Sequence, residues 1–312
     1  MDALAVILEQ PETLALGRLP LTPVDEADAV VAVSWSGIST GTERLLWSGR
    51  MPPFPGMGYP LVPGYESVGT VVEAPRGAAV KAGDTVFVPG ARCFGPVRGL
   101  FGGAASHLIA PASRLVPVDA GLGEKGILIA LAATAYRALG GIGPGAKPLI
   151  VGHGVLGRLL ARLTVAAGAE PTVWETNPVR AEGEFGYPVL DAQTDPRRDY
   201  AVITDVSGDA SGLDGLIARL APGGEIVLAG FYEAPVSFAF PPAFMREARL
   251  RISAEFKPDD LAAVTALVAG GRLSLDGLIT HCVPAPSAGE AYRTAFGDPA
   301  CLKMVLDWRA CS

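Results

Sequence analysis

The run of residues 152–157 contains three glycines with the spacing Gly-x-Gly-x-x-Gly. It follows an apolar stretch at residues 148–151 and precedes a segment with helical periodicity, so it joins a predicted strand to a predicted helix. Glycines permit a tight turn and a close approach of the backbone to a pyrophosphate, which the N–H groups of a helix N-terminus can bind. The spacing predicts a dinucleotide site at Gly152, His153, Gly154, Val155, Leu156 and Gly157.

Glu175 is the second residue that indicates a cofactor. It ends the predicted strand at residues 171–174 and lies 23 residues beyond Gly152 (175 − 152). A carboxylate at this place can accept hydrogen bonds from both hydroxyls of an adenosine ribose and would repel a 2′-phosphate. The sequence therefore predicts NAD rather than NADP. The alternative is a glycine-rich helix start that binds nothing.

The elements that must position these residues fall into two groups. Residues 1–120 alternate short β-branched runs with Gly and Pro turns, which predicts a β unit of barrel type. After a helical segment at 123–140, strands and helices alternate, which predicts an α/β fold with a doubly wound parallel sheet. The segment 183–193 is short for a helix and a strand, so the second half-unit is expected to be trimmed. Strands are expected at residues 29–33, 67–72, 85–88, 106–109, 114–117, 201–205, 225–229, 250–254 and 278–283, and a helix at 259–269.

Composition limits the classes of function. The 312 residues suffice for two domains, and the net charge of −7 without a basic block argues against nucleic acid as a partner. The chain is 49% hydrophobic with a mean hydropathy of +0.34, yet its longest apolar stretch is too short to span a bilayer. The N-terminus lacks a basic n-region, so we expect a cytoplasmic protein. Its four cysteines lack C-x-x-C spacing, which predicts reduced thiols.

Several motifs resemble the medium-chain dehydrogenase/reductase superfamily. Besides the glycine turn they are SGISTGTE at residues 36–43, PGYESVG at 63–69, VKAGD at 80–84, TAY at 134–136 and LITH at 278–281. The resemblance implies a GroES-like β domain to which the chain returns after a Rossmann domain. It assigns residues 1–122 and 257–312 to the GroES-like domain and residues 123–256 to the Rossmann NAD-binding domain. It also implies an NAD-dependent alcohol dehydrogenase.

The chain departs from this family where zinc-dependent members carry metal ligands. They have Cys, His and Cys where this chain has Thr40 (or Ser39, if the gap is placed differently), Tyr65 and Ala130. Neither a thiolate nor an imidazole remains at these positions, so we expect no metal. The family's relay histidine is also replaced, with Leu45 near its place. Alcohol oxidation would then rely on general-base or hydroxyl-relay chemistry.

The candidates for proton transfer are Thr42, Tyr65, Glu66 and Thr40. Thr42 matches the family's relay hydroxyl, although a turn hydroxyl bonded to its own backbone is equally expected. Tyr65 replaces a metal ligand, so its phenol would either bind the substrate oxygen or only fill the vacated space. Glu66 would be a base with a raised pKa in a low-dielectric cleft, or a structural carboxylate bonded to backbone N–H groups.

Other residues are predicted to line the cofactor groove. Thr134 matches a family position beside the nicotinamide, and three residues follow predicted strand ends, namely Ser207, Gly230 and Phe231. His153 either touches the pyrophosphate or is a spacer whose side chain lies elsewhere. Of the other two histidines, His107 is expected to face solvent and His281 to be structural.

Residues 45–60 are expected to bind the substrate. Their flat apolar and polarizable side chains suit a large planar ligand, and prolines would hold such a loop open. The alternative is a loop packed on its own domain. Residues 35–60 also resemble family members that oxidise the hydroxyethyl group of a tetrapyrrole, which implies a tetrapyrrole substrate. A propionate of such a substrate could pair with Arg50, Arg92 or Arg98, and the alternative for each is a solvated surface arginine. The candidates within the stretch are Trp47, Arg50, Met51, Phe54, Met57 and Tyr59.

The function predicted from the sequence is NAD-dependent, zinc-independent oxidation of a secondary alcohol. One alternative is a zinc-free quinone or enone reductase of the same superfamily, against which Glu175 argues mildly. Another is a non-catalytic module that holds NAD or a pigment. A homodimer, contact with a membrane surface and contact with other pigment enzymes are left open by the sequence.

Overall fold

The computed structural model describes residues 1–53 and 55–311, which form two compact units. Unit 1 comprises Met1–Ala130 and the chain from Asp276 onward, and unit 2 comprises Leu131–Leu275. These limits differ from the expected boundaries at residues 122/123 and 256/257. Residues 257–275 fall in unit 2, where Asp260 forms an ion pair of 3.3 Å with Arg137 and the Ser274 carbonyl accepts a hydrogen bond of 2.8 Å from Arg162.

Unit 1 is mostly β structure. Its first segment also contains 3₁₀ turns at Ala112–Arg114 and Ala120–Leu128. The strands and the helix of this segment are β1 (Asp2–Gln10), β2 (Thr13–Pro20), β3 (Asp28–Ile38), α1 (Thr42–Trp47), β4 (Leu61–Val62), β5 (Ser67–Glu73), β6 (Thr85–Val88), β7 (Arg98–Gly99), β8 (His107–Pro111) and β9 (Val116–Pro117).

The chain then passes through unit 2 and returns to unit 1. The elements up to residue 269 are α2 (Ile129–Leu139), β10 (Leu149–Val151), α3 (Val155–Ala166), β11 (Thr172–Trp174), α4 (Pro178–Ala181), β12 (Val189–Leu190), β13 (Tyr200–Asp205), α5 (Leu213–Ile217), β14 (Leu220–Leu228), α6 (Phe240–Met245), β15 (Arg249–Ile252) and α7 (Pro258–Ala269). The returning segment contains β16 (His281–Pro284), a 3₁₀ turn at Ala285–Ser287, α8 (Ala288–Gly297) and β17 (Met304–Asp307).

Strand β3 is central to the main sheet of unit 1. The strand order is β16-β17-β3-β5-β6-β9, and β8 also pairs with β3. A second sheet has the order β2-β1-β4-β7. Most of β3 is buried, and β17 pairs antiparallel with it so that Met304 lies opposite Ile38. This register brings the returning segment next to the SGISTGTE motif.

Unit 2 contains a six-stranded parallel sheet with the order β12-β11-β10-β13-β14-β15. Numbered within the unit this is 3-2-1-4-5-6, the doubly wound Rossmann order. The predicted α/β fold class is confirmed. Ligands of such sheets bind at the carboxyl ends of the strands where the order reverses, here between β10 and its neighbour β13.

The trimmed half-unit expected at residues 183–193 is confirmed. Between β11 and β12 the only assigned helix in the described chain is α4, which has four residues, and β12 has two. The hairpin β1–β2, helix α8 and strand β17 were not predicted. In the described part of the chain, no helix combines the length and the apolar character needed to cross a bilayer.

Candidate functional site

The glycine turn of unit 2 forms an open cradle at the start of α3. Gly152 has a φ of +103°, in the left-handed region that favours glycine. A Cβ at Gly157 would lie 1.9 Å from the Gly152 carbonyl oxygen, so only glycine allows this contact between helix and strand. A Cβ at Gly154, in contrast, would meet nothing within 4 Å, and no side chain caps the helix there. Free N–H groups beside open space fit a pyrophosphate.

The carboxylate of Glu175 is fixed at the end of β11. Its Oε2 accepts the N–H of His153 at 3.0 Å, and its Oε1 accepts the N–H groups of Thr176 and Asn177, each at 2.8 Å. The bond to His153 places the carboxylate directly beside the glycine turn. This is the position that a ribose-binding acid occupies in a dinucleotide fold.

The side chain of His153 points away from the cradle. It is fully buried, with Nδ1 2.8 Å from the Arg180 carbonyl and Nε2 3.0 Å from the Tyr187 hydroxyl. The Phe185 ring meets it edge to face at 4.5 Å. Burial lowers the pKa of the imidazole. The neutral ring therefore donates from Nδ1 to the carbonyl and accepts the Tyr187 hydroxyl at Nε2, so His153 supports the turn as a spacer.

Ser207 and Gly230, two further candidates for cofactor binding, both form hydrogen bonds with the buried residue Asp205, which was not predicted from the sequence. Asp205 accepts the N–H of Ser207 at 2.8 Å and the hydroxyl of Tyr232 at 2.8 Å, and its carbonyl accepts the N–H of Gly230 at 3.1 Å. Asp205 therefore shapes the loops after β13 and β14. The four remaining candidates are Thr134 in α2, Val155 and Leu156 in the first turn of α3, and Phe231 in the loop after β14. Val155 is buried, Thr134 and Leu156 are half-buried, and Phe231 is exposed.

In unit 1, two hydroxyls meet at positions that the family resemblance aligns with zinc ligands. The Tyr65 hydroxyl donates to Ser39 Oγ at 2.7 Å, and the Tyr65 ring meets Phe101 edge to face at 5.3 Å. Burial raises the pKa of Tyr65, while hydrogen bonds with Ser39 and Thr42 act in the opposite direction. The structure thus brings Thr42 and Tyr65 together, and Thr40 lies in the half-buried turn between Ser39 and Thr42.

Glu66 faces a buried lysine. Its Oε2 forms an ion pair with Lys303 Nζ, and the two side chains are 1% and 2% exposed. Burial raises the pKa of Glu66, and the Lys303 ammonium opposes that rise. Gly37 makes room, because a Cβ there would lie 2.4 Å from Glu66 Oε2. Glu66 is therefore held by Lys303, not by the backbone N–H groups considered above, and its Oε1 has no partner among the described residues.

Glu43 belongs to the site but was not singled out from the sequence. Its Oε1 accepts the N–H of Ser39 at 3.0 Å, and its Oε2 accepts the Tyr292 hydroxyl at 2.6 Å. Burial raises the pKa of Glu43 to about 7. The only signal in the sequence was the carboxylate directly after Thr42 in the SGISTGTE motif.

The residues at the family's metal positions do not fit zinc. Ser39 and Tyr65 are engaged with each other, Thr40 offers a hydroxyl, and Ala130 is a buried methyl group. Zinc sites use thiolate, imidazole or carboxylate ligands. Within residues 1–53 and 55–311, no group of three or more His, Cys, Asp and Glu side chains is placed to hold a metal ion.

The predicted substrate stretch contacts the core of unit 1. Trp47 lies 6.0 Å from the Tyr292 ring, and Met51 is 6% exposed within the hydrophobic core. The Tyr59 hydroxyl donates to the Leu46 carbonyl. These contacts agree with a loop packed on its own domain, and a role in binding a planar ligand stays a prediction. Of the other candidates, Met57 packs on the hydrophobic core of unit 1. Arg50 is exposed, and its Nε lies 3.1 Å from Ser48 Oγ. Phe54 lies outside the described residues.

The chain is similar to known dehydrogenases over nearly its whole length. Residues 25–120 match the alcohol dehydrogenase GroES-like domain family. The chain is 58% identical over 311 residues to the 2-desacetyl-2-hydroxyethyl bacteriochlorophyllide A dehydrogenase of Rhodobacter capsulatus, covering 99% of each chain. It is also 58% identical over 316 residues to the protein of the same name from Cereibacter sphaeroides, again covering 99% of each. An Escherichia coli alcohol dehydrogenase complexed with NADH has a TM-score of 0.84 at 19% identity, covering 98% of this chain and 99% of that one.

Proposed function

The chain belongs to the medium-chain dehydrogenase/reductase superfamily, and we propose that it oxidises the ring-A 3-(1-hydroxyethyl) group of a bacteriochlorophyllide to 3-acetyl, giving bacteriochlorophyllide a. The observation that carries this proposal is the 58% identity to two dehydrogenases whose names state such a substrate, across 99% of this chain. The aligned region covers 99% of this chain and therefore extends over both units.

NAD⁺ is the cofactor we propose. The cradle at Gly154 would hold the pyrophosphate, and the Glu175 carboxylate would accept the ribose hydroxyls. A 2′-phosphate in the same place would meet a fixed negative charge. When bound, the nicotinamide ring supplies the hydride acceptor for the alcohol carbon.

We propose that the hydroxyl proton leaves through Tyr65 and Ser39 without zinc. The Tyr65 phenol would accept the proton of the substrate hydroxyl while passing its own proton to Ser39 Oγ, 2.7 Å away, and Ser39 would release its own hydroxyl proton to water, which is the final acceptor. Thr42, whose side chain interacts with the Tyr65 hydroxyl, is the second relay candidate. A hydroxyethyl group on a conjugated macrocycle gives a conjugated ketone, which lowers the demand for a Lewis acid.

The test uses purified protein, dialysed against chelator, with a 3-hydroxyethyl bacteriochlorophyllide and either NAD⁺ or NADP⁺. We expect the red absorption band to shift as equimolar NADH forms, with NAD⁺ preferred and added chelator without effect. The variant Glu175→Gln should accept NADP⁺ better relative to NAD⁺. Turnover that stops with chelator and returns with zinc would contradict the zinc-free route. Absence of turnover by protein that binds NADH would contradict the pigment assignment.

A further inference from the structure

Glu43 closes the turn that carries the proposed proton-transfer hydroxyls. Its carboxylate accepts the N–H of Ser39 at 3.0 Å, and its own N–H donates to the Ser39 carbonyl at 3.1 Å. Both main-chain groups of Ser39 are therefore bound by one residue four positions later. The side chain of Ser39, which these bonds orient, accepts the Tyr65 hydroxyl at 2.7 Å.

A second support for the carboxylate comes from a distant part of unit 1. Tyr292, in the middle of α8, is fully buried and donates its hydroxyl to Glu43 Oε2 at 2.6 Å. Glu43 is 1% exposed, so water cannot replace either bond. The carboxylate thus ties the turn after β3 to a rigid helix of the same unit.

We propose that Glu43 is a positioning residue for proton transfer: by sharing its carboxylate between Tyr292 and the Ser39 N–H, it holds Ser39 Oγ where the Tyr65 hydroxyl donates to it. This inference rests on the proposed function, because the route through Tyr65 and Ser39 is part of it. It assigns Glu43 no direct contact with substrate or cofactor.

The two protonation states of Glu43 differ in what they can hold. An ionised carboxylate accepts at both oxygens, whereas a protonated one converts one of its oxygens into a donor. Protonation therefore weakens one of the two bonds and loosens the turn. Burial raises the pKa of Glu43 to about 7, with the charges of Glu66 and Lys303 acting in opposite directions. The ionised state, which holds both donors, dominates above that pH, so kcat should fall as the pH decreases through it.

Variants of Glu43 and Tyr292 distinguish the positioning role of Glu43 from a merely structural one. Glu43→Gln offers one acceptor and one donor, as protonated Glu43 does, but it does not titrate, so we expect its kcat at pH 8 to lie near the low-pH plateau of the parent and to show no acid limb near pH 7. Glu43→Ala removes the acceptor, and kcat should fall about 10²-fold with little change in KM. Tyr292→Phe removes a donor that lowers the pKa of Glu43, so the acid limb should move to higher pH.

Tyr200→Phe is the matched control. It removes a buried phenol that donates to a carboxylate, Asp195, at 2.8 Å in unit 2, and it should leave the acid limb in place. An acid limb that persists unchanged in Glu43→Gln would assign it to another group, such as Glu66, and overturn the proposal. So would an acid limb that moves equally in Tyr292→Phe and Tyr200→Phe.

A readout without turnover keeps this inference distinct from the proposed function. In protein with ¹³Cζ-labelled tyrosine, the Tyr65 resonance, assigned with Tyr65→Phe, should show an inflection near pH 7 that Glu43→Gln abolishes. Such an inflection in protein that does not oxidise the pigment supports the positioning role and contradicts only the proposed function. A Tyr65 resonance without that inflection in active protein overturns the positioning role.

Discussion

Replacing Lys303 with methionine is expected to destabilise unit 1 to an extent that depends on pH. The Lys303 and Glu66 side chains are 2% and 1% exposed, so the substitution leaves the carboxyl group with no counter-charge and almost no water. Burial then acts on the pKa of Glu66 unopposed and raises it further. A buried, unpaired carboxylate takes up a proton rather than remaining charged.

The magnitude follows from the ordinary pKa of a glutamate, 4.5, at which the unfolded chain titrates. Holding Glu66 protonated in the folded state costs about 3.4 kcal/mol at pH 7, at 1.36 kcal/mol for each pH unit above that value, and about 1.4 kcal/mol at pH 5.5. Because burial already raises the pKa of Glu66 in the parent, these figures are upper limits for the loss relative to the parent. The first figure lies within the range of about 3–5 kcal/mol known for breaking buried ion pairs. Because the folded-state pKa lies above the unfolded one, the variant loses stability as the pH rises.

Urea unfolding at pH 7 and pH 5.5 would measure this difference. When Trp174 of unit 2 is replaced by phenylalanine in all proteins compared, the fluorescence reports on unit 1, because the remaining tryptophans, Trp35, Trp47 and Trp308, all lie there. The double variant Glu66→Leu/Lys303→Met should recover most of the lost stability, because no charge remains to be buried. Equal losses at the two pH values would refute the reasoning.

An exposed ion pair of unit 1 provides the matched control for this measurement. Lys125 and Asp276 form an ion pair of 2.9 Å in which the side chains are 38% and 77% exposed. Lys125→Met should change the unfolding midpoint far less than Lys303→Met, because water replaces the lost partner. Similar effects of the two substitutions would mean that burial of the Glu66–Lys303 pair does not control its contribution.

Three other predictions concern the site. Gly157→Ala should lower the unfolding temperature and abolish NADH binding, because its Cβ would lie 1.9 Å from a carbonyl oxygen, whereas Gly154→Ala should fold normally but bind NADH more weakly by calorimetry. His153 has a lowered pKa, so the folded state resists protonation and thermal stability should fall as the pH drops below about 6.5; His153→Asn should lack that component in scanning calorimetry. Tyr65→Phe should lower kcat by about 10²-fold or more without changing NADH affinity. The control Tyr200→Phe, assayed beside it, should leave both kcat and NADH affinity unchanged.

The cofactor cradle was predictable because its determinants are local. The strand, the glycine turn, the helix and Glu175 lie within about thirty residues, and each has a sequence pattern of its own. The side chain of His153 could be placed only by the structure. Its partners Phe185 and Tyr187 lie in the trimmed half-unit, which has no regular periodicity from which a contact could be inferred.

The hydroxyl site could be predicted only in part, because its partners are distant in sequence. Tyr65 and Thr42 were identified through their motifs, but 237 residues separate Glu66 from Lys303 and 249 separate Glu43 from Tyr292. The lysine lies just before a four-residue strand that was not predicted, and the tyrosine in a helix that was not predicted. Because neither element was predicted, the sequence did not reveal that Lys303 pairs with Glu66 or that Tyr292 donates to Glu43. Glu66 was therefore considered only as a base or a structural carboxylate, and Glu43 was not considered.

The insertion of unit 2 within unit 1 has a consequence for how the chain folds as it is synthesised. Once residue 275 has been made, unit 2 has its entire sequence, whereas β3 still lacks its neighbour β17. Until residues 303–307 have been made, residues 35–38 of β3 lack their β17 partner and Glu66 lacks the ammonium group of Lys303. Unit 1 is therefore the last unit whose sheet can be completed during synthesis, and we expect its exposed strand edge to be the part of the nascent chain most prone to aggregation.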